Sequence, residues 1–122
     1  MERIDEAALA AGAGEELAAV TTAIVGLFSE YYGRGPTRAK SYLLDDRYLV
    51  CVLRDTMTTV ERTLAPTHPD LVRQVRITFQ EAMADSFIAV VEHALGRRVL
   101  TYHSQLTLEP DIGFEFFMLE ER

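Results

Sequence analysis

The run from Thr67 to Gly96, THPDLVRQVRITFQEAMADSFIAVVEHALG, constrains this chain more than any other stretch. Thr67 followed three residues later by Asp70 has the form of a capping box. Pro69 falls in the first turn, where its missing N–H would be unpaired in any case. Gly96 stands where a left-handed residue closes a helix. Between them Val72, Val75, Phe79, Met83, Phe87, Val90 and Ala94 recur at steps of three and four, which marks one helical face. Ile88, Val91 and Leu95 widen that face, so the second half is expected to be the more deeply buried. At 1.5 Å per residue such a helix is roughly 40 Å long, enough to cross a four-stranded sheet.

The remaining elements are read relative to that helix. Residues 1–14, rich in alanine, glycine and acid, read as a frayed helix or flexible tail. A single domain follows over residues 15–122. From Glu15 the chain carries Leu17, Val20, Ile24, Leu27 and Tyr31 at helical spacing and stops at Gly33. The GRGP run, Gly33 to Pro36, forces a break. Thr37–Leu44 and Tyr48–Leu53 read as strands joined at Asp45-Asp46-Arg47, the second apolar on both faces and therefore central. Thr58 to Glu61 repeats the capping-box pattern and opens a short helix. After Gly96, Val99–Leu108 and Ile112–Leu119 form a second hairpin around Glu109-Pro110-Asp111. Ile112, Phe114, Phe116 and Met118 share one face of the last strand, and Phe117 and Leu119 share the other with Glu115. The expected fold is α+β: a two-layer domain of order α-β-β-α-α-β-β, with a four-stranded antiparallel sheet under two helices. Each half is a helix ending in Gly-Arg followed by two strands, which suggests two hairpins related by an approximate twofold; a shared helix-stop signal explains the pattern nearly as well.

A net charge of −7 argues against nucleic acid and against adsorption to anionic lipid. One cysteine cannot form an internal disulfide. The longest strongly apolar run, Tyr48–Leu53, is far too short to span a membrane. No direct membrane insertion is expected, and a cytoplasmic location is.

The run Tyr32-Gly33-Arg34-Gly35-Pro36-Thr37, with Asp45-Asp46 in the hairpin, resembles the bacterial MpsC family, named for a component of a cation-translocating, membrane-potential-generating system. Leu53, Thr58, Glu61, Arg76, Phe79, Met83, Phe87, Val91-Glu92, Gly96-Arg97-Arg98-Val99, Ser104-Gln105 and Pro110-Asp111 continue the resemblance in order and spacing, over about Glu15 to Glu120. The family commonly has a proline where this chain has Thr59. The resemblance implies a small accessory protein tied to membrane potential or bicarbonate uptake, with a membrane-transport protein as partner. It carries over no catalytic residues.

The best candidate site is the GRGP turn. Backbone N–H groups at Gly33 and Gly35, with the guanidinium groups of Arg34 and Arg38 and with Lys40 close by, can form an anion-binding nest. The competing reading is a helix stop with Arg34 paired to an acid such as Asp45. His103 and Ser104 alternate along a strand, so they cannot work as a catalytic pair. Cys51 lies in the most apolar strand, where burial raises a thiol pKa. His68, His93 and His103 lack metal-ligand spacing. Asp45 and Asp46 sit at an open hairpin tip, where water keeps both near ordinary acidity. We therefore expect no enzyme, no cofactor and no metal. Apolar groups at Phe117, Leu119, Leu49 and Leu53, beyond the face that must meet the long helix, suggest a twofold homodimer.

Overall fold

The computed structural model describes residues 6–122, with side chains from Gly14 onward. Along these residues run α1 (Glu6–Tyr32), β1 (Arg38–Leu44), β2 (Tyr48–Arg54), α2 (Thr59–Leu64), α3 (Pro69–Leu95), β3 (Val99–Thr107) and β4 (Ile112–Leu119). The order is the expected one. Helix α1 begins at Glu6, ahead of the strong pattern that starts at Glu15; of the segment read as a tail, residues 1–5 lie outside the described residues.

The four strands form one antiparallel sheet of order β1-β2-β4-β3. Strand β2, apolar on both faces, is interior as expected. Exchanging the two hairpins leaves the order unchanged, so the topology has the approximate twofold that the repeated Gly-Arg suggested. Helix α1 packs on β1, α3 packs on β3, and the two helices pack on each other. Both long helices end at a left-handed glycine, Gly33 at φ 80° and Gly96 at φ 63°. The Gly33 N–H donates to the Ser29 carbonyl at 3.0 Å and the Gly96 N–H to that of Glu92 at 2.8 Å.

The helix starts divide. At α2 the Thr58–Glu61 capping box is complete in both directions. At α3 the N-cap is His68, not Thr67, and its side chain makes no capping bond. The cause is the preceding turn. The backbone N–H groups of Thr67 and His68 both donate to the Leu64 carbonyl, so Thr67 is still folded onto the end of α2. Its hydroxyl meets His68 Nδ1 at 2.8 Å instead.

Val20, Ile24 and Phe28 of α1 meet Met83, Phe87, Val91 and Leu95 of α3 over Leu49, Cys51, Leu53, Phe117 and Leu119 of the sheet. Two expectations are corrected here. On α3 the buried row is Val72, Arg76, Met83, Phe87, Val91 and Leu95, whereas Val75 is 48% exposed. The helix is rolled so that Arg76, not Val75, faces inward. In the sheet, Leu49, Leu53, Phe117 and Leu119 are fully buried under the helices rather than left over. The face left open carries Tyr42, Leu44, Tyr48, Val50, Val52, Ile112, Phe114, Phe116 and Met118, with Arg38, Lys40 and Arg54 at one end. Three cations on that face need water, which decides which side the helices cover.

Candidate functional site

The GRGP turn ends α1 and leads into β1. Gly35 lies so close to α1 that a side-chain carbon there would come within 2.5 Å of the Ser29 hydroxyl, which would have to turn aside for any larger residue. Arg34 reaches across to the segment after β2. Its Nη1 donates to the Met57 carbonyl at 2.6 Å and its Nη2 to Asp55 Oδ2 at 3.1 Å. The paired acid is Asp55, not Asp45. Asp55 sits at φ 57° and also accepts from Arg62, and the hydrogen bond from Arg34 holds its carboxyl below the usual carboxylate range. Arg97, at the equivalent place after Gly96, donates to the Glu120 carbonyl just past β4 and to Asp46 at 3.3 Å. Each Gly-Arg thus stops a helix and clasps the chain beyond an inner strand. Arg38 has a different neighbourhood: it stands on β1 with Arg54 as its partner across the strands. The structure separates the partners of Arg34 from those of Arg38.

The segment after β2 is anchored from several sides. Thr56, fully buried, donates its hydroxyl to Asp111 Oδ1 at 2.8 Å, and the Met57 N–H donates to Asp111 Oδ2 at 2.8 Å. The Thr56 carbonyl accepts from Arg76 Nη2 at 2.7 Å. Arg76, 2% exposed, forms a double hydrogen bond with Glu61, whose Oε1 lies 2.8 Å from Nη2. Its guanidinium also lies over the Tyr32 ring, 4.2 Å from the centroid, and near Phe28. Burial would raise the Glu61 carboxyl, but hydrogen bonds from Arg76 and the Thr58 N–H, with the Arg76 charge, hold it below its ordinary value.

A second buried carboxyl, Glu115, lies on the covered face of β4. It accepts from the Tyr102 hydroxyl at 2.5 Å and the Ser104 hydroxyl at 3.0 Å. Burial pushes it up to about 7, against the pull of those two hydrogen bonds and the Arg76 charge. Tyr32, whose buried hydroxyl has no hydrogen-bond partner among the described residues, is pushed up to about 12 by burial. Cys51, the strand neighbour of Glu115, is pushed by burial to about 11, so its thiol stays protonated. Ser104 points in to Glu115 while His103 lies on the open face against Phe116, with ring centroids 6.2 Å apart. His68 occupies the position before α3 without capping it, and His93 lies in the last turn of that helix. Asp45 and Asp46 form the hairpin tip, both with positive φ, and Asp46 accepts from Arg122.

Both buried carboxyls, Glu61 and Glu115, are thus closed in by their own partners, and the open sheet face is the surface with groups to spare. Tyr42, Leu44 and Phe114 are 43, 55 and 38% exposed there. A cleft of about 480 Å³ at one corner is lined by Thr37, Arg38, Lys40, Tyr42, Val52 and Arg54.

The family model described as "Na+-translocating membrane potential-generating system (MpsC)" matches residues 13–121. The chain belongs to the MpsC family. No curated protein and no solved structure matches it. Among the described residues of this MpsC chain, no helix is long and apolar enough to cross a membrane. Several of the residues that carried the resemblance in the sequence have structural employment: Glu61 and Arg76 in the buried pair, Ser104 on Glu115, and Asp111 at the anchored segment. Sequence reasoning missed three features of this MpsC domain. It set Glu115 beside Phe117 and Leu119 without reading a buried acid from it. It did not join Arg54 to Arg38 and Lys40, although the hairpin register from Asp45-Asp46 would have placed them together. The Glu61–Arg76 pair had no signal in local periodicity, because the two residues meet only after α2 and α3 fold back.

Proposed function

We propose that this MpsC-family protein is a non-enzymatic accessory or regulatory component linked to a membrane-potential or ion-transport system. It works by assembly through the open sheet face, first with a second copy of itself in a twofold homodimer. The observation that carries the reading is that face: a continuous row of aromatic and aliphatic side chains with no helix over it among the described residues. Chains that stay monomeric seldom leave so large an apolar patch in water. The buried carboxylates lend further support, because Glu61 and Glu115 are occupied by Arg76, Tyr102 and Ser104. The family description agrees with an accessory role in a membrane system.

Light scattering at high micromolar concentration tests the assembly. The parent is expected at twice the 13.7 kDa chain mass, and Phe114→Glu at the monomer mass with its circular dichroism spectrum unchanged. A monomeric parent removes the dimer. Pull-down from native cells then tests the transport link, with a transporter subunit as the expected companion.

A further inference from the structure

We propose that the corner of the open face formed by Arg38, Lys40 and Arg54 is a binding site for a phosphate monoester. Arg38 and Arg54 are direct partners across the β1–β2 ladder, and Lys40 follows on the same face. Like charges placed opposite each other across strands destabilise a sheet. Nothing within the described residues relieves them. Arg34, Arg47, Arg62, Arg73, Arg76, Arg97 and Arg122 each pair with a carboxylate; among the described residues Arg38, Lys40 and Arg54 pair with none. The open face holds no Asp or Glu at any strand position, in a chain whose net charge is −7. Asp55, which hydrogen-bonds Thr37 at the edge of the cleft, is engaged by Arg34 and Arg62 instead.

The geometry sets the ligand class. Two arginine forks and an ammonium around one cleft match a doubly charged phosphoryl group, which guanidinium groups bind through paired hydrogen bonds. The cleft of about 480 Å³ has the size of a small-molecule pocket. Tyr42 and Val52 wall one side, and Lys40 Nζ lies 5.2 Å from the Tyr42 ring centroid. That wall suits the organic part of an ester. The site uses neither Gly33 nor Arg34, and it lies at the cationic end of the same open face that the homodimer would use.

Phenyl phosphate and inorganic phosphate are titrated at constant ionic strength and followed by calorimetry and ³¹P line width. Phosphatidylcholine vesicles with and without phosphatidic acid form a parallel arm. The parent is expected to bind phenyl phosphate saturably, or the phosphatidic acid vesicles if the phosphoryl group comes from a lipid. Arg54→Gln and Arg38→Gln should each weaken that binding roughly tenfold or more, and Arg54→Lys should fail to restore it. Because each glutamine removes a repulsion, the ligand-free melts should not fall below the parent's. Absence of saturable binding in both arms overturns the proposal. So does an equal weakening by Arg98→Gln, an exposed cation away from the corner, since binding would then follow net charge alone.

Discussion

Replacing Glu115 by glutamine should stabilise the protein in alkaline solution and not in acid. The Glu115 carboxyl is 3% exposed, and its native acidity is displaced from the ordinary 4.5 to about 7. Tyr102 and Ser104 from β3 donate to it, Arg76 of α3 attracts it, and Cys51 of β2 and Tyr32 of α1 bring no charge. Because the native value lies above the unfolded one, the native state binds the proton more tightly. Stability is therefore whole below about pH 4.5 as far as this group is concerned, and declines as the pH rises toward and past 7. At about 1.36 kcal/mol per tenfold in proton affinity, ionising the buried group costs about 3 kcal/mol above pH 7. Glutamine keeps the shape and one acceptor, and its amide can donate to the Ser104 oxygen, so a rearranged hydrogen bond returns about 1 kcal/mol of loss. The expected net gain is about 2 kcal/mol at pH 8.5, with no gain or a small loss at pH 4.5. Urea melts of both proteins at the two pH values measure it. A variant weakened equally at both would show that Glu115 is not held at raised pKa in the fold.

Three further substitutions probe the interior. Phe87→Ala empties a site that is 1% exposed and stacked on Tyr102, and should cost roughly 3–5 kcal/mol in denaturant melts. A cost within error of zero would mean the α3 face is misassigned. Arg76→Ala strands the Glu61 carboxylate and should also cost roughly 3–5 kcal/mol, whereas a loss under about 1 kcal/mol would show that Glu61 reaches water without its partner. Arg34→Lys keeps the charge but gives up the two-nitrogen fork that reaches Asp55 and the Met57 carbonyl, so thermal melts should show a loss of about 1 kcal/mol. A melt identical to the parent's would mean that the two-pronged contact contributes nothing.

The elements, their order and the interior place of β2 were legible because each rests on local signals: periodicity, caps and glycine stops. The choice of sheet face was not, because both faces of β4 offer bulky apolar groups. Counting them favours Ile112, Phe114, Phe116 and Met118, yet those positions share a face with Arg38, Lys40 and Arg54 once the strands pair. Arg76 escaped for a related reason. A charged residue inside an amphipathic helix reads as solvent-facing, and only the return of α2 brings Glu61 beneath it. Arg34 was legible as a helix-end residue that pairs with an acid, but Asp55 lies beyond an entire hairpin, a separation that local pattern does not span.

The segment from Asp55 to Thr58 has no regular secondary structure, yet it accepts or donates bonds to residues following α1, in α3 and in the second hairpin. Opening it alone would release Arg34, Arg76 and Asp111 together, so it has no inexpensive local opening. Its amides should therefore exchange with deuterium at the slow rate of the central strands, through global unfolding, where a connecting loop ordinarily exchanges fast. The two hairpin halves, similar as they are in plan, then melt as one cooperative unit, and neither would hold its shape if expressed without the other.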